Sequence, residues 1–420
     1  SSLEPLDALE QIYERWASEP VSGLPPLTSG FVGFIAWEAV NEIYKLDQAS
    51  NPSHTIPAQS LSFVSELIVI DHREGVVILI ANVLNDKPSG ASASASEAEA
   101  REEEAWNEAQ ERLDTLQREL AKSAQSPLSI RKDDQQLITR VTSKEKFLDD
   151  VNRAKEHVNA GDVSQVVISQ RFDTECPATP LDVYRVLRHT NPSPFLYLLN
   201  SLDNNGDPIG VVGSSPEALI TLNEGHVITH PIAGSRPRGE TLARDLELEQ
   251  ELLADKKEVS EHKMLVELSV TDLEKVCDRD TVEVSGYMRV ERFSHVMHIV
   301  STVGGKLAQG KNPLNALRAT FPAGTLSGAP KEKALEIIDS LEPEPRGVFG
   351  GVVGYFGFSG SADLAIAIRT ATIQNGVASV QAGAGIVEGS VPETEDQETR
   401  SKAAAPLAAI SIACSMEEVK

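Results

Sequence analysis

The sequence predicts an α+β fold built on antiparallel sheets, on three observations. Strand-like segments arrive in runs and helix-like segments in runs, so the one-for-one alternation of a parallel doubly wound sheet is missing. Segments such as VSQVVISQR at 163–171 alternate as strands, with Gln165, Val167 and Ser169 on one face. No P-loop and no GxGxxG is present, and Gly350-Gly351-Val352-Val353-Gly354 has the wrong spacing for a dinucleotide fingerprint.

Taken in order, 61–70 and 76–83 read as a hairpin around Asp71-His72-Arg73-Glu74-Gly75. The Ala/Ser and glutamate run from Lys87 to Glu104 cannot bury a core and reads as a solvated linker, entering a helix over 105–122. Residues 126–136 read as loop. Thr142-Ser143-Lys144-Glu145 reads as a capping box for a helix that carries Phe147, Val151, Ala154 and Val158 and stops at Gly161. Strands follow at 195–199, 209–213, 217–222 and 226–232, then one long helix over 246–275. The last third offers strands near 293–303, 349–358, 363–373 and 377–387, with helices near 312–319, 330–341 and 392–412.

Composition limits the functions available. A chain of 420 residues with 40% hydrophobic content can hold one large domain or two to three smaller ones, with a sizeable core. A net charge of −25 excludes nucleic acid or an anionic membrane as the main partner. A small anionic substrate must then be drawn in by local cations or a metal. Cys176, Cys277 and Cys414 are far apart, which fits a reducing cytoplasm. No apolar run reaches the ~18 residues of a membrane span, and the acidic N-terminus is not a secretion signal.

The chemistry concentrates between Pro231 and Lys402. Glu258 with Glu261, and Glu395 with Glu398, are spaced so that each pair shares a helix face. The plain account of the first pair is a solvated face, and of the second an i,i+4 pairing of Glu398 with Lys402. The chemical account is convergence on Mg²⁺, since four carboxylates meeting without a cation would repel one another. A capping box is expected at Ser390–Glu393. His298 lies in an apolar strand, where a satisfied core histidine competes with a proton carrier. His295, three residues earlier, would face the other way. The turn from Phe321 to Lys331 brings Thr325 and Ser327 to a helix start, either as an oxygen cradle or as a plain connection with Pro330 at N1. Arg369 ends ADLAIAIRT and needs a partner, a structural carboxylate or a substrate one. Glycines at 383 and 385 either admit a ligand to the backbone or merely permit a bend.

These blocks together resemble the chorismate-utilising enzymes, most closely the anthranilate synthase component I branch. The segments are HPIAGSRPRG (230–239), EVSEHKMLVEL (258–268), ERFSHVMHIVSTVGG (291–305), TFPAGTLSGAPKEKALEII (320–338), RGVFGGVVGYF (346–356), ADLAIAIRT (362–370), QAGAGIV (381–387) and ETEDQETRSKAA (393–404). A weaker likeness in LPPLTSGFVGFIAWEAV (24–40) extends it over nearly the whole chain. The resemblance implies two antiparallel sheets packed face to face with helices outside. It implies a truncated N-terminal part over 1–125, with hairpin and linker helix, and a chorismate-binding catalytic domain over 126–420. It implies amination of chorismate at C2 by ammonia, then elimination of pyruvate to give anthranilate. Glu261 and Glu398 would ligate Mg²⁺ and Glu258 and Glu395 would support it through water. His298 would be the general acid/base with Thr325 beside it. Arg369 and the backbone of Gly383, Ala384 and Gly385 would grip the pyruvyl carboxylate, and Lys402 the ring carboxylate.

Two positions narrow the branch. Gln165 stands where isochorismate and salicylate synthases carry a lysine base, which favours ammonia over water. Ala233 stands where aminodeoxychorismate synthases usually carry a lysine, so no covalent intermediate forms there. Departures from the family's usual residues are Ser235, Val270, Thr271, Phe349, Gly389 and Ser401. They keep open a 2-amino-2-deoxyisochorismate synthase without the lyase step, and a non-catalytic paralogue that binds a glutaminase subunit. The family's leucine-glutamate-serine motif for tryptophan inhibition is not in this sequence, so either a trimmed chain or lost feedback is expected. No glutaminase-like cysteine is present, so glutamine use calls for a separate amidotransferase subunit. A homo-oligomer stays open.

Overall fold

The computed structural model describes residues 3–46, 55–83, 95–122, 129–131, 137–293, 296–342 and 344–418. Helix α1 (Pro5–Trp16) has proline at its start and buries Leu6, Leu9 and Tyr13. Strand β1 (Gly30–Ile35), helix α2 (Ala39–Tyr44) and strand β2 (Gln59–Phe63) follow. Strands β3 (Glu66–Asp71) and β4 (Val76–Ala81) make the expected hairpin, but the strand placed at 61–70 is broken at Val64 and Ser65. Its first part, β2, pairs with β1 instead. Helix α3 (Ala95–Leu120) starts inside the stretch read as linker, because alanine and glutamate are strong helix formers. The rest of that stretch, 87–94, lies outside the described residues.

Strand β5 (Ser129–Arg131) occupies part of the segment expected as loop, paired with the C-terminal β20 (Met416–Glu418). After β6 (Ile138–Arg140) comes α4 (Lys144–Ala160). Ser143, not Thr142, caps α4, its hydroxyl accepting from Lys146 N, so Glu145 falls one position short of closing a box. Then come β7 (Gln165–Glu175), α5 (Pro180–Thr190), β8 (Phe195–Leu202), β9 (Pro208–Ser215), β10 (Ala218–Asn223), β11 (His226–Thr229) and β12 (Ile232–Pro237). The single helix expected over 246–275 is two, α6 (Leu242–Ala254) and α7 (Lys256–Leu273). Asp255 separates them with an extended backbone, and its carboxylate accepts from the amides of Lys257 and Glu258.

Strand β13 (Glu283–Arg292) escaped the sequence reading and pairs along β14 (Val296–Lys306). The chain continues through α8 (Pro313–Thr320), β15 (Gly328–Ala329), α9 (Lys331–Leu341), β16 (Val352–Gly357), β17 (Ala362–Ile366), β18 (Thr370–Gln374), β19 (Val377–Ile386) and α10 (Pro392–Cys414). Pro330 is the N-cap of α9 rather than N1. The box expected at Ser390–Glu393 does not form, since Val391 is the N-cap of α10 and Ser390 Oγ accepts from Val387 N.

A nine-stranded sheet runs β12-β14-β11-β10-β17-β16-β1-β2 with β13 on β14. A seven-stranded sheet runs β15-β7-β19-β18-β9-β8 with β6 on β7. Every pairing is antiparallel. The sheets meet where Phe34 and Val353 of the first pack with Ile209 and Val211 of the second. On the outside, α5 and α10 cover Val212, Ala371 and Val380, while α4 and α9 cover Val166 and Ile168. The strand expected at 363–373 is divided, β17 in one sheet and β18 in the other. Arg369 sits at the crossing with φ of 51°, a left-handed conformation that costs an L-residue about 1–2 kcal/mol.

Candidate active site

Two helices bring the acidic pairs together. On α7, His262, Leu265, Val266 and Leu273 are buried and hold the helix to the protein, leaving Glu258 and Glu261 at its N-terminal end. On α10, Asp396, Thr399, Ala403, Leu407 and Ile410 are buried, and Glu395, Glu398 and Lys402 share the adjoining face. Burial pushes the Glu261 carboxyl up, and Glu258 and Glu398 push it further, against Lys257 and Lys402. Glu395 is likewise raised by burial and by Glu398, with Ser390 opposing. The carboxylates of distant helices therefore feel one another. Among the described residues, no group of three or more histidine, cysteine, aspartate or glutamate side chains is already closed to metal-holding distance. Two pairs of oxygen donors, with Glu261 and Glu395 raised by burial and by neighbouring carboxylates, fit a hard cation that keeps water or substrate in part of its shell.

Lys402 does two things. Its Nζ lies 2.7 Å from Glu398 Oε1, the expected i,i+4 pair, and it donates to the Gly383 carbonyl at 3.0 Å. That second bond ties α10 to β19. Strand β19 pairs with β7 in unbroken register from 377 to 386, so its glycines do not serve a bend. They serve close approach: a Cβ at Gly385 would stand 2.4 Å from Gln165 Nε2, and one at Gly383 2.9 Å from Val167 Cγ1. Ala384, between them, is fully buried. Gln165 is buried too, and its Oε1 has no hydrogen-bond partner among the described residues.

The opposite wall comes from the nine-stranded sheet. His298 on β14 is half-buried, with Nδ1 3.1 Å from the Gly234 carbonyl. A carbonyl can only accept, so Nδ1 carries the hydrogen and Nε2 keeps its lone pair. Burial holds this histidine below its ordinary range, the Gly234 bond opposing and Arg369 adding. Gly234 has φ of 77° at a bulge of β12, beside the buried Ala233. A Cβ there would press on Glu258 Oε2 at 3.2 Å. His295 lies outside the described residues.

Glu217 was missed by the sequence reading. It stands in the gap between β9 and β10, in Ser214-Ser215-Pro216-Glu217-Ala218, and accepts from Thr325 Oγ1 at 3.1 Å. Burial pushes it up to about 7, opposed by the Thr325 bond and by Lys402 and Arg369. A carboxylate set between two apolar strands is the signal that could have found it. Its presence also revises the turn at 321–331. Thr325 is spent on Glu217, and Ser327 is fully buried with its hydroxyl on the Ala323 carbonyl, so no open cradle of two hydroxyls exists. The Arg369 guanidinium makes no ion pair or hydrogen bond among the described residues, and Glu217 is the opposing charge that acts on it. A cavity of about 40 Å³ abuts Glu217 and Thr325, lined also by His230, Leu265, Ser269 and Asp272. A larger one of about 260 Å³, lined by Arg171, Thr370, Ser379 and Gln381, includes none of the site residues.

The departures in sequence lie mostly outside this centre. Val270 packs against the core, and Thr271 donates to the Glu267 carbonyl on an exposed face. Ser401 is exposed and donates to the Gln397 carbonyl, and Gly389 has open space around it. Two departures do meet the site strands: Phe349 lies 3.5 Å from where a Gly383 Cβ would stand, and Ser235 on β12 pairs directly with His298 on β14.

The chain is similar to known proteins along its length. The profile for chorismate binding enzymes matches residues 2–408. Anthranilate synthase component 1 of Arthrobacter globiformis is 47% identical over 419 residues, covering 99% of this chain and 77% of that protein. The counterpart in Mycolicibacterium smegmatis is 44% identical, covering 99% and 78%. The crystal structure of anthranilate synthase component I from Streptococcus pneumoniae superposes with a TM-score of 0.82 at 34% identity, over 97% of this chain and 86% of that one. The menaquinone-specific isochorismate synthase of Escherichia coli has a TM-score of 0.71 at 20% identity, a likeness of fold alone. With the family profile matched from residue 2 to residue 408 and relatives 44–47% identical along nearly all of its length, this chain belongs to the chorismate binding enzymes.

Proposed function

We propose that this chain aminates chorismate with ammonia at C2 and then eliminates pyruvate, giving anthranilate. The reading rests above all on Glu217, an acid near neutrality bonded to Thr325 and held in the fields of Arg369 and Lys402. Ammonia attacks C2, the two ring double bonds shift from C1=C2 and C5=C6 to C1=C6 and C4=C5, the C4–O bond breaks, and the ammonium formed at C2 gives up a proton to solvent. Glu217 supplies the proton with which the 4-hydroxyl leaves as water. Gln165 would accept a hydrogen from the incoming amine, a role supported by its Oε1 being buried with no hydrogen-bond partner among the described residues. In the second step His298 Nε2 removes the C2 proton, the C3–O bond breaks, and enolpyruvate departs to take up a proton as pyruvate. Arg369 and the backbone at Gly383–Gly385 hold the pyruvyl carboxylate, and Lys402 the ring carboxylate.

Mg²⁺ would be held by Glu261 and Glu398, with Glu258 and Glu395 behind water. Bound there, it would supply a Lewis acid for the ring carboxylate and the departing hydroxyl. Glutamine would be used only through a separate amidotransferase subunit, in the cytoplasm. No helix among the described residues is long and apolar enough to cross a membrane. Incubation with chorismate, Mg²⁺ and ammonium should give anthranilate fluorescence. A product whose mass retains the pyruvyl group would instead assign a 2-amino-2-deoxyisochorismate synthase. Unconsumed chorismate would leave a binding paralogue.

A further inference from the structure

Behind the acidic face of α10 lies a second, buried polar cluster that the reaction does not use. Asp396 is 1% exposed, and its Oδ1 accepts from Arg140 Nη2 at 2.6 Å and from Gln170 Nε2 at 3.0 Å. Gln170 Nε2 also donates to Thr399 Oγ1 at 2.6 Å, and Gln170 Oε1 accepts from Arg140 Nη2 at 2.6 Å. Thr399 Oγ1 donates onward to the Asp396 carbonyl at 2.9 Å. Arg400 Nε stands 3.2 Å from Asp396 Oδ2, and Arg140 lies 6.0 Å over the Phe172 ring. The circuit joins β6, β7 and α10 by charge-assisted bonds at a place where apolar packing would have sufficed to bury the helix.

Its position on the helix explains the chemistry. At 100° per residue, Asp396 and Thr399 lie beside Glu395 and Glu398 rather than opposite them. Rotation of α10 about its axis would therefore swing the acidic pair sideways. With a carboxylate roughly 6 Å from the axis, a 20° turn moves it by about 2 Å, as much as a whole Mg²⁺–oxygen bond. Apolar contacts are non-directional, and half of the buried apolar residues of α10 are the short Ala403, Ala409 and Ala413, so packing alone sets its rotation less sharply. Directional bonds from two strands fix it well.

We propose that Asp396, with Arg140 and Gln170, is a positioning cluster that sets the rotation of α10, and through it the Glu395 and Glu398 carboxylates, for a divalent cation. The inference rests on the metal reading above. Its test is calorimetric titration of Mg²⁺ alone into the wild-type chain, Asp396→Asn, Arg140→Leu and the remote core variant Leu9→Ala. Asp396→Asn and Arg140→Leu should raise the dissociation constant on the order of tenfold or more. Leu9→Ala, matched to them in loss of melting temperature, should bind Mg²⁺ as the wild type does. Wild-type affinity in both cluster variants overturns the positioning role and leaves the metal site standing. Should Asp396→Asn not fold, Arg140→Leu decides alone, its side chain being 23% exposed. A wild-type chain that takes up no Mg²⁺ overturns the metal reading, and this inference with it.

Discussion

At the scale of single residues, the account turns on groups held away from their usual protonation. Burial keeps the Glu217 carboxyl protonated up to about 7, where a general acid is most useful. The same shift makes stability depend on pH. The folded state holds this proton more tightly than the unfolded chain, so the stabilisation is complete below the ordinary value of 4.5 and is lost as pH rises through about 7. The melting temperature of the metal-free protein should therefore fall more steeply for the wild type than for Glu217→Gln between about pH 5 and pH 8. Equal slopes would remove Glu217 as the titrating group. His298 is shifted in the useful direction for a base, neutral with its hydrogen on Nδ1 toward the Gly234 carbonyl. His298→Ala should slow anthranilate formation on the order of 10²–10⁴-fold, and mass spectrometry should find the aminated intermediate with its pyruvyl group. Most of this was legible as residue types. Glu217 was not, because a lone glutamate in a short gap has no spacing partner and its depth is a tertiary property.

At the scale of elements, the site depends on interruptions rather than on regular structure. Asp255 ends α6 and caps α7, which starts the helix so that Glu258 and Glu261 fall on its first turns. Asp255→Ala should lower stability by roughly 1 kcal/mol through the lost cap, readable by denaturant unfolding. The sequence suggested one helix because the apolar period runs through Leu252 and Val259 without a glycine or proline between. The division of β17 from β18 was hidden for the same reason. The run LAIAI from Leu364 to Ile368 is apolar without a break, and only the sheet assignments reveal that the chain changes layer by Arg369. Strand β19 shows the reverse: its two glycines were visible, and the structure chose close approach over bending. In Gly385→Ala the new methyl meets only the end of the Gln165 side chain, so the fold should survive while Gln165 is pushed aside. The KM for ammonium should rise on the order of tenfold with little change in melting. Unchanged ammonium dependence would discharge Gln165 from the amine site.

At the scale of the whole molecule, two antiparallel sheets gather residues from 165 to 402 into one centre. The fold class was legible because strand and helix segments cluster along the chain. The pairing order was not, since β1 and β2 complete a sheet whose other strands come from beyond residue 217. The convergence of α7 with α10 belongs to this scale, and it predicts that Glu261→Gln and Glu398→Gln each abolish turnover with the fold intact by circular dichroism. The measurement that tests the central claim most directly is the single-turnover loss of chorismate with Mg²⁺ and ammonium, in the wild type and in Glu217→Gln. The account predicts rapid loss in the wild type and loss slower on the order of 10²–10⁴-fold in the variant. Equal rates in the two proteins would contradict it.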